Sequence, residues 1–208
     1  VIAHLATLEE FELSVSENFA LYCVPYNRMG SLMEQLSIER ERTFRAVDEG
    51  TGKELDSDRF DPHYMHLFLW DQATQRIAGG YRLSKTDAIV KKLGVKGLYS
   101  HSLFDYRHEF LKNLGKTIEV GRSFVSTEYQ KNPTARDALL QGIGRYVAKN
   151  PEYHTLFGCV SISRQYSNLA STMLTKMFLS QYGVEASIAK KVRARIPLNN
   201  ITSPWTKA

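Results

Sequence analysis

Two opposite charges inside an apolar run constrain this chain more than any other feature. Residues 117–129 (TIEVGRSFVSTEY) are rich in β-branched and aromatic side chains and predict a strand, yet Glu119 and Arg122 lie within it. Burying a charge is costly unless it is paired or hydrogen-bonded. Residues three apart in a regular strand point to opposite faces, whereas a bulge at Gly121 would bring both side chains to one site. The alternative is a structural ion pair at a strand end; we favour a polar functional site.

The composition is that of a folded globular chain. Of the 208 residues, 43% are hydrophobic and 24% are charged, which is enough to bury a sizeable core. The net charge of +5 is compatible with an acidic partner, an anionic cofactor or a membrane surface, and it decides between none of them. No apolar run has the length of a membrane-spanning helix, and the first residues lack the pattern of a signal peptide.

Several common functional patterns are missing from the sequence. Cys23 and Cys159 lie in apolar surroundings and predict core thiols rather than a disulfide, and two cysteines give no zinc pattern. There is no P-loop, dinucleotide fingerprint or nucleophile elbow. His66 and Asp71 match the HxxxxD dyad of glycerolipid acyltransferases, but residues five apart in a strand face opposite sides, so we interpret the match as coincidental. The aromatic residues do not alternate with a basic groove, so we expect no nucleic-acid partner.

Hydrophobic periodicity predicts a mixed α/β (α+β) plan with one sheet. The predicted elements are a strand at 11–24, an amphipathic helix at 29–45, a hairpin of strands 66–70 and 76–83, a short helix at 86–92, the strand discussed above, a helix at 136–149, a strand at 155–162 and a helix at 166–179. We expect strand 155–162 to be buried on both faces, and Leu169, Met173, Leu174 and Met177 to point inward from the last helix.

Several segments together resemble one known family. They are DRFDPHYMHLFLWD, RIAGGYRL, LYSHSLFDY, IEVGRSFVSTEYQKNP and LLQGIGRYVAKNPEYHTLFGCVSIS, followed by Tyr166. In order and spacing, residues 11–179 resemble the hemolysin-like branch of the GNAT acyltransferase superfamily, which holds ornithine-lipid and other amino-acid N-acyltransferases. Acyl-homoserine-lactone synthases look like more distant relatives.

The resemblance implies a GNAT fold, in which a mixed, largely antiparallel sheet flanked by helices splays between its fourth and fifth strands. These strands would be residues 117–126 and 155–162, with the pantetheine arm of the acyl donor in the gap between them. Residues 1–208 would form a single GNAT-like domain, with residues 185–208 as a basic C-terminal extension. Many members of the family also carry an O-acyltransferase domain, which would suit a chain that begins with Val rather than Met.

The resemblance also bears on the donor. GNAT members that use acetyl-CoA carry a Q/R-x-x-G-x-G/A loop that binds the pyrophosphate, whereas the corresponding segment here, STEYQKNPTAR, lacks those glycines. This departure favours acyl carrier protein as donor, so the co-substrate would be an acyl-phosphopantetheine (or acyl-CoA), with no permanent cofactor and no metal. An acidic carrier protein would dock on the basic residues Lys190, Lys191, Arg193 and Arg195.

The family's functional positions map onto a charged set in this chain. The resemblance implies that Glu119 accepts the amine proton, that Arg122 keeps Glu119 ionised and binds the acceptor carboxylate or the oxyanion, and that Tyr166 protonates the leaving thiolate. The implied acceptor-binding residues are Arg40, Phe44, Asp58, Asp61 and Arg82. The implied donor-binding residues are Phe124, Val125, Ser126 and Ser161, the first two through their backbone. Gln141 replaces an expected bulky residue and leaves the acyl-chain length open.

The resulting hypothesis is an N-acyltransferase that moves a long (3-hydroxy)acyl chain from acyl carrier protein to an amino acid of the ornithine or glycine type, as a step in aminolipid synthesis. We expect a cytoplasmic protein with peripheral contact to the inner face of the membrane. The alternatives are an acetyl-CoA- or acyl-CoA-dependent transferase that acts on another amine, and a non-catalytic GNAT-like module that binds acyl carrier protein or regulates a fused O-acyltransferase domain.

Overall fold

The computed structural model describes residues 2–16, 18–163, 165–181 and 191–196. The strands are β1 Glu12–Val15, β2 Phe19–Pro25, β3 Met65–Asp71, β4 Arg76–Lys85, β5 Phe104–Tyr106, β6 Thr117–Val125, β7 Thr155–Phe157 and β8 Val192–Ala194. The α-helices are α1 Ile2–Leu5, α2 Tyr26–Met29, α3 Ser31–Arg45, α4 Thr86–Leu93, α5 His108–Leu114, α6 Pro133–Ala148 and α7 Asn168–Gln181. Short 3-10 turns occur at Ala6–Phe11, Asp61–His63, Val95–Gly97, Ser100–Ser102 and Thr127–Tyr129.

A six-stranded sheet organises the fold, with the strand order β1-β2-β3-β4-β6-β7, and a second sheet of two strands adds to the one sheet that was predicted. Each neighbouring pair from β1 to β6 is antiparallel, and β7 alone runs parallel to its neighbour β6. Pairing between β6 and β7 extends only from Thr117↔Thr155 to Glu119↔Phe157, although β6 continues to Val125. The two strands therefore diverge, and the predicted mixed sheet with a splay after the start of β6 is confirmed.

Two apolar cores lie on opposite faces of the sheet. Residues of β2 alternate between them, which is the two-residue period of a strand that is buried on both faces. Helix α3 packs on one face and α6 on the other. Gly142 of α6 permits this approach, because a Cβ at that position would lie 2.7 Å from the Leu21 side chain. The predicted helix around 136–149 is confirmed, with Pro133 in its first turn.

Two predictions about the first third of the chain need correction. The predicted strand at 11–24 is a hairpin of two strands, because the chain reverses between Ser16 and Phe19, where the backbone N–H of Ser16 donates to Phe19 O. The predicted helix at 29–45 is interrupted by Gly30, whose φ of +51° lies in the region that favours glycine. Helix α3 begins immediately after this residue.

The predictions for the C-terminal part were wrong in two respects. Strand β7 has three residues instead of eight and is not buried on both faces, since Leu156 is 47% exposed and Val160 is 94% exposed. On α7 the side chains of Leu169, Met173 and Met177 are exposed rather than inward. The physical reason is the splay, because the residues after β7 lose their partner strand and apolar composition alone does not bury them. Within the described ranges, no helix is both long and apolar enough to cross a bilayer.

Of the predicted basic extension, the structure describes residues 191–196, which contain a strand. β8 pairs with β5 in a separate two-stranded sheet, and Arg195 forms an ion pair with Asp105 at 2.6 Å. Arg193 is exposed and Lys191 is partly buried, while Lys190 lies outside the described residues. Their predicted role in docking a carrier protein stays a prediction.

Candidate active site

A bulge in β6 shapes the site. β4 and β6 pair at Arg82↔Gly121 and then at Gly80↔Phe124, so two residues of β6 oppose one residue of β4. Arg122 occupies the bulge with a φ of +49°, in the left-handed region. A non-glycine residue in this region costs on the order of 1 kcal/mol or more, and such strain concentrates at functional sites. A bulge was predicted at Gly121; the structure has it one position further on, at Arg122 and Ser123, because Gly121 itself pairs with Arg82 and Arg122 takes the unusual conformation.

Three arginines and three aspartates alternate in a buried network next to the bulge. Arg40 of α3 donates from Nη1 and Nη2 to the two oxygens of Asp61, at 3.2 and 3.1 Å, and its Nε lies 3.1 Å from Asp56 Oδ2. Arg82 of β4 donates from Nη1 to Asp58 Oδ1 and Asp61 Oδ1, at 2.7 and 2.8 Å. The side chains of Arg40, Arg82, Asp56 and Asp61 are at most 2% exposed. Because opposite charges balance within it, the network can be buried.

The network ends at Arg122, the arginine that is open to solvent. Its Nη2 lies 3.3 Å from Asp56 Oδ1 and 3.2 Å from Asp58 Oδ2, and its side chain is 19% exposed. Nη1 donates to the Tyr99 hydroxyl at 3.3 Å, and the guanidinium lies over the Tyr99 ring, with Cζ 4.9 Å from the ring centroid. A second ring, that of Phe44, lies 6.0 Å away. The aspartates and rings thus fix the orientation of Arg122.

The charges of the network shift the pKa values of its members. Burial would raise the pKa of Asp61, but the guanidiniums of Arg40 and Arg82 together with the N–H of Asp58 hold that pKa well below its usual range. Burial lowers the pKa of His66 to about 4, against an opposing effect of Asp61. His66 is therefore neutral, and its Nε2 lies 3.1 Å from Asp61 O. It makes no contact with Asp71, whose carboxylate accepts from the Tyr129 hydroxyl, so the dyad pattern is coincidental, as predicted.

Glu119 lies in a different setting from Arg122. Its side chain accepts from the Tyr64 hydroxyl, from Tyr99 N at 3.2 Å and from Ser100 N at 2.7 Å, and the residue is 2% exposed. Burial and the Glu119 carboxylate both raise the pKa of Tyr64, so Tyr64 is a neutral donor. In the part of the chain that the structure describes, Glu119 and Arg122 do not form the expected ion pair. Asp56 and Asp58 bind the Arg122 guanidinium instead. Tyr99 contacts both residues and links them.

A cavity of about 560 Å³ opens where β6 and β7 diverge. From β6 it is lined by Gly121, Arg122 and Ser123, and from the segment after β7 by residues 159–162. Its remaining wall consists of Phe44, Glu49, Tyr99 and Leu103. Beyond Glu119 the edge of β6 is not paired with β7, so the backbone groups along it can bind an extended ligand. The arrangement suits a thioester arm that reaches a cationic group.

Some of the predicted site residues line the cavity and others do not. Arg122, Phe44 and Ser161 line it, and Ser161 Oγ donates to Glu49 Oε2 at 2.7 Å. Arg40, Asp58, Asp61 and Arg82 form the network behind Arg122, while Phe124 and Val125 belong to the diverging part of β6. Tyr166 and Ser126 are not among the residues that line the cavity. Tyr166 is 55% exposed, and the buried hydroxyl of Ser126 donates to Ile77 O.

Sequence reasoning missed four contributors to the site. Asp56 was not among the predicted site residues, although its spacing to Asp58 and Asp61 in the same loop was a usable signal. Tyr64 and Tyr99 carried no local signal, because only the fold brings them to Glu119. Cys159 was expected in the core but lines the cavity, since it follows the end of β7; burial and the negative charge of Glu119 raise the pKa of its thiol to about 11.

Comparison with known proteins identifies the fold. Residues 40–139 match the family model described as the acetyltransferase (GNAT) domain. Together with the strand order and the splay, this match confirms the predicted GNAT fold. The chain is also similar to a glucosamine-6-phosphate N-acetyltransferase structure from Arabidopsis thaliana, with 12% identity, a TM-score of 0.39, and 81% of this chain and 92% of that chain covered.

Two relatives are closer in sequence. The chain is 31% identical over 183 residues to glycine N(alpha)-acyltransferase of Bacteroides thetaiotaomicron, covering 83% of this chain and 54% of the relative. It is 30% identical over 174 residues to glycine N(alpha)-acyltransferase of Phocaeicola vulgatus, covering 78% and 53%. The chain therefore spans about half the length of these relatives. The matched domain and the names of both relatives support an enzyme of the acyltransferase class.

Proposed function

We propose that this chain is an N-acyltransferase of the hemolysin-like GNAT branch that transfers a long (3-hydroxy)acyl chain from acyl carrier protein to the amine of an amino acid. The observation that carries the proposal is the position and conformation of Arg122. This residue has a strained backbone, it is held by two aspartates and two aromatic rings, and it lines the cavity where the sheet splays. A guanidinium in this position suits the carboxylate of an amino-acid acceptor.

The charge of the site and the names of the relatives both favour an amino acid as the acceptor. Of the three guanidiniums in the network, that of Arg122 lines the cavity, and Asp56 and Asp58 hold it from behind. A small amino acid would place its carboxylate on Arg122 and its amine near the thioester carbonyl. Because both named relatives are glycine N(alpha)-acyltransferases, glycine is the first acceptor to test, with ornithine second.

The first turn of α6 supports acyl carrier protein as donor. In GNAT members that use CoA, amides at this position bind the pyrophosphate. Here the side chain of Asn132 accepts from Thr134 N and Ala135 N, at 3.0 and 3.4 Å, and Pro133 has no N–H. The amides that a pyrophosphate would need are therefore already occupied or missing. A carrier protein presents a single phosphate and supplies further affinity through its own surface.

The product of such a reaction is an N-acyl amino acid with a long chain, the chemistry of an aminolipid precursor. A product of this kind favours peripheral contact with a membrane. The exposed residues Arg193 and Arg195, together with the partly buried Lys191, would suit an acidic carrier protein. The second candidate is an acyl-CoA-dependent transferase, which the choice of donor distinguishes.

The role of Arg122 can be tested with two acceptors that differ only in charge. Glycine and glycinamide both offer an amine, but only glycine offers a carboxylate. We expect the wild-type chain to prefer glycine, and Arg122→Ala to lose roughly 10- to 100-fold more in kcat/KM for glycine than for glycinamide, which is the value of one charge-assisted contact. Arg136→Ala is the control, because Arg136 is exposed and absent from the cavity lining. Equal losses with both acceptors would refute the assignment.

A further inference from the structure

We infer that Tyr99 is a catalytic residue that carries a proton from the attacking amine to the leaving sulfur. The inference rests on the proposed function, and it concerns a residue to which the sequence analysis assigned no role. Tyr99 lies between the 3-10 turns Val95–Gly97 and Ser100–Ser102, and its side chain lines the cavity next to Arg122.

The backbone, the ring and the hydroxyl of Tyr99 are each held by a contact. Its backbone N–H donates to Glu119 Oε2 and lies 2.9 Å from the Tyr64 hydroxyl. Its ring packs edge-to-face on Phe60, with the centroids 5.7 Å apart. Its hydroxyl accepts from Arg122 Nη1 at 3.3 Å. Because backbone, ring and hydroxyl are each fixed, the phenol oxygen has a defined position in the cavity, as a proton-transferring group requires.

The reaction itself demands a proton carrier. As the amine nitrogen forms the C–N bond to the thioester carbonyl carbon, the C–S bond breaks, one proton leaves the nitrogen and one proton must reach the sulfur. The Tyr99 hydroxyl donates its proton to the sulfur and takes the proton of the nitrogen, so it ends in its starting state. The guanidinium of Arg122 stabilises the negative charge that develops on the phenol oxygen between the two transfers.

The other candidates fit less well. Glu119 is buried, its carboxylate already accepts from three donors, and it is not among the residues that line the cavity. Tyr166 is exposed and is also absent from the lining. Glu49 does line the cavity, but it accepts from Ser161 on the segment after β7. Glu119 is accordingly a positioning residue, because it orders the turn that presents Tyr99.

The test uses Tyr99→Phe, which removes only the hydroxyl and keeps the ring contacts to Arg122 and Phe60. Turnover is measured with glycine and two donors that carry the same acyl chain, an acyl carrier protein thioester and an aryl thioester. An aryl thiolate leaves without being protonated, so it needs no proton donor; the phenol then stays un-ionised, and the proton of the nitrogen passes to solvent instead of to Tyr99. We expect kcat to fall about 100-fold with the carrier-protein thioester, with KM nearly unchanged, and less than about 5-fold with the aryl thioester. Tyr26→Phe is the control, since Tyr26 begins α2 and is absent from the cavity lining.

The outcomes separate the inference from the function on which it rests. A Tyr99→Phe variant within about 2-fold of wild type on both donors refutes the proton transfer by Tyr99. An equal loss on both donors also refutes it, because it indicates a structural role. A loss in Tyr166→Phe that disappears with the aryl thioester would assign the proton transfer to Tyr166 instead. If the wild-type chain forms no N-acyl product at all, the proposed function fails and the inference fails with it.

Discussion

Removing the charge of Asp61 should destabilise the fold more than any exposed substitution. Asp61 accepts from Arg40 and Arg82, both almost fully buried, and also from Asp58 N at 2.9 Å. Asp61→Asn keeps the shape but leaves the network with one unbalanced buried positive charge. Breaking a buried ion pair on one side costs about 3–5 kcal/mol. For a chain of this size, that corresponds to a melting temperature lower by roughly 10 °C.

Urea unfolding followed by circular dichroism measures this loss. Asp137→Asn is the matched control, because Asp137 is exposed and lies 3.7 Å from an exposed arginine, so its loss should change stability by less than about 0.5 kcal/mol. A cost below about 1 kcal/mol for Asp61→Asn would refute the conclusion that the network depends on mutual charge neutralisation. The pH adds a check: because the folded pKa of Asp61 is depressed, its contribution is present above about pH 4 and is lost at lower pH.

Three further substitutions test other parts of the structure. The pKa of His66 is about 4 in the fold and about 6.5 in the unfolded chain, so protonation between these pH values favours unfolding. The free energy of unfolding of the wild type, measured by urea unfolding, should therefore fall by about 2 kcal/mol between pH 7 and pH 5. The variant His66→Gln should lack this dependence on pH. Glu119→Gln, which can still accept from Ser100 N, should retain at least about 10-fold more turnover than Glu119→Ala, whereas equal losses would favour Glu119 as the proton acceptor. In Gly79→Ala the new Cβ would lie 2.6 Å from a carbonyl oxygen of β6, which should lower the free energy of unfolding by about 1–3 kcal/mol in thermal unfolding. In the control Gly144→Ala the new Cβ has no atom within 4 Å, so this variant should not be destabilised. Similar losses of stability in both variants would contradict the packing argument.

Much of the central sheet could be predicted, because its signals are local. Strand alternation and turn residues gave the hairpin that became β3 and β4, and the charge pair in an apolar run indicated the bulge in β6. The resemblance added the splay, and with it the position of the cavity. The hairpin and the bulge depend on residues that are close in the sequence.

The remainder depends on contacts between distant segments. Tyr64 and Tyr99 reach Glu119 only after a loop, a hairpin and a helix have packed, so no spacing indicated them. Arg122 was expected to pair with Glu119, but the loop that carries Asp56 supplied a better partner. Residues 158–162 have the composition of a buried strand, yet the divergence from β6 removes the neighbour that would bury them. Composition indicates burial only where a second element covers the segment.

The most direct test of the central claim is a product assay on the wild-type chain. A 3-hydroxyacyl carrier protein is incubated with a panel of free amino acids that includes glycine and ornithine, and thiol release is measured together with mass detection of N-acyl products. We expect one N-acyl amino acid formed in equal amount to the released thiol, with weaker turnover when acyl-CoA replaces the carrier protein. The absence of any N-acyl product with either donor would contradict the proposed function.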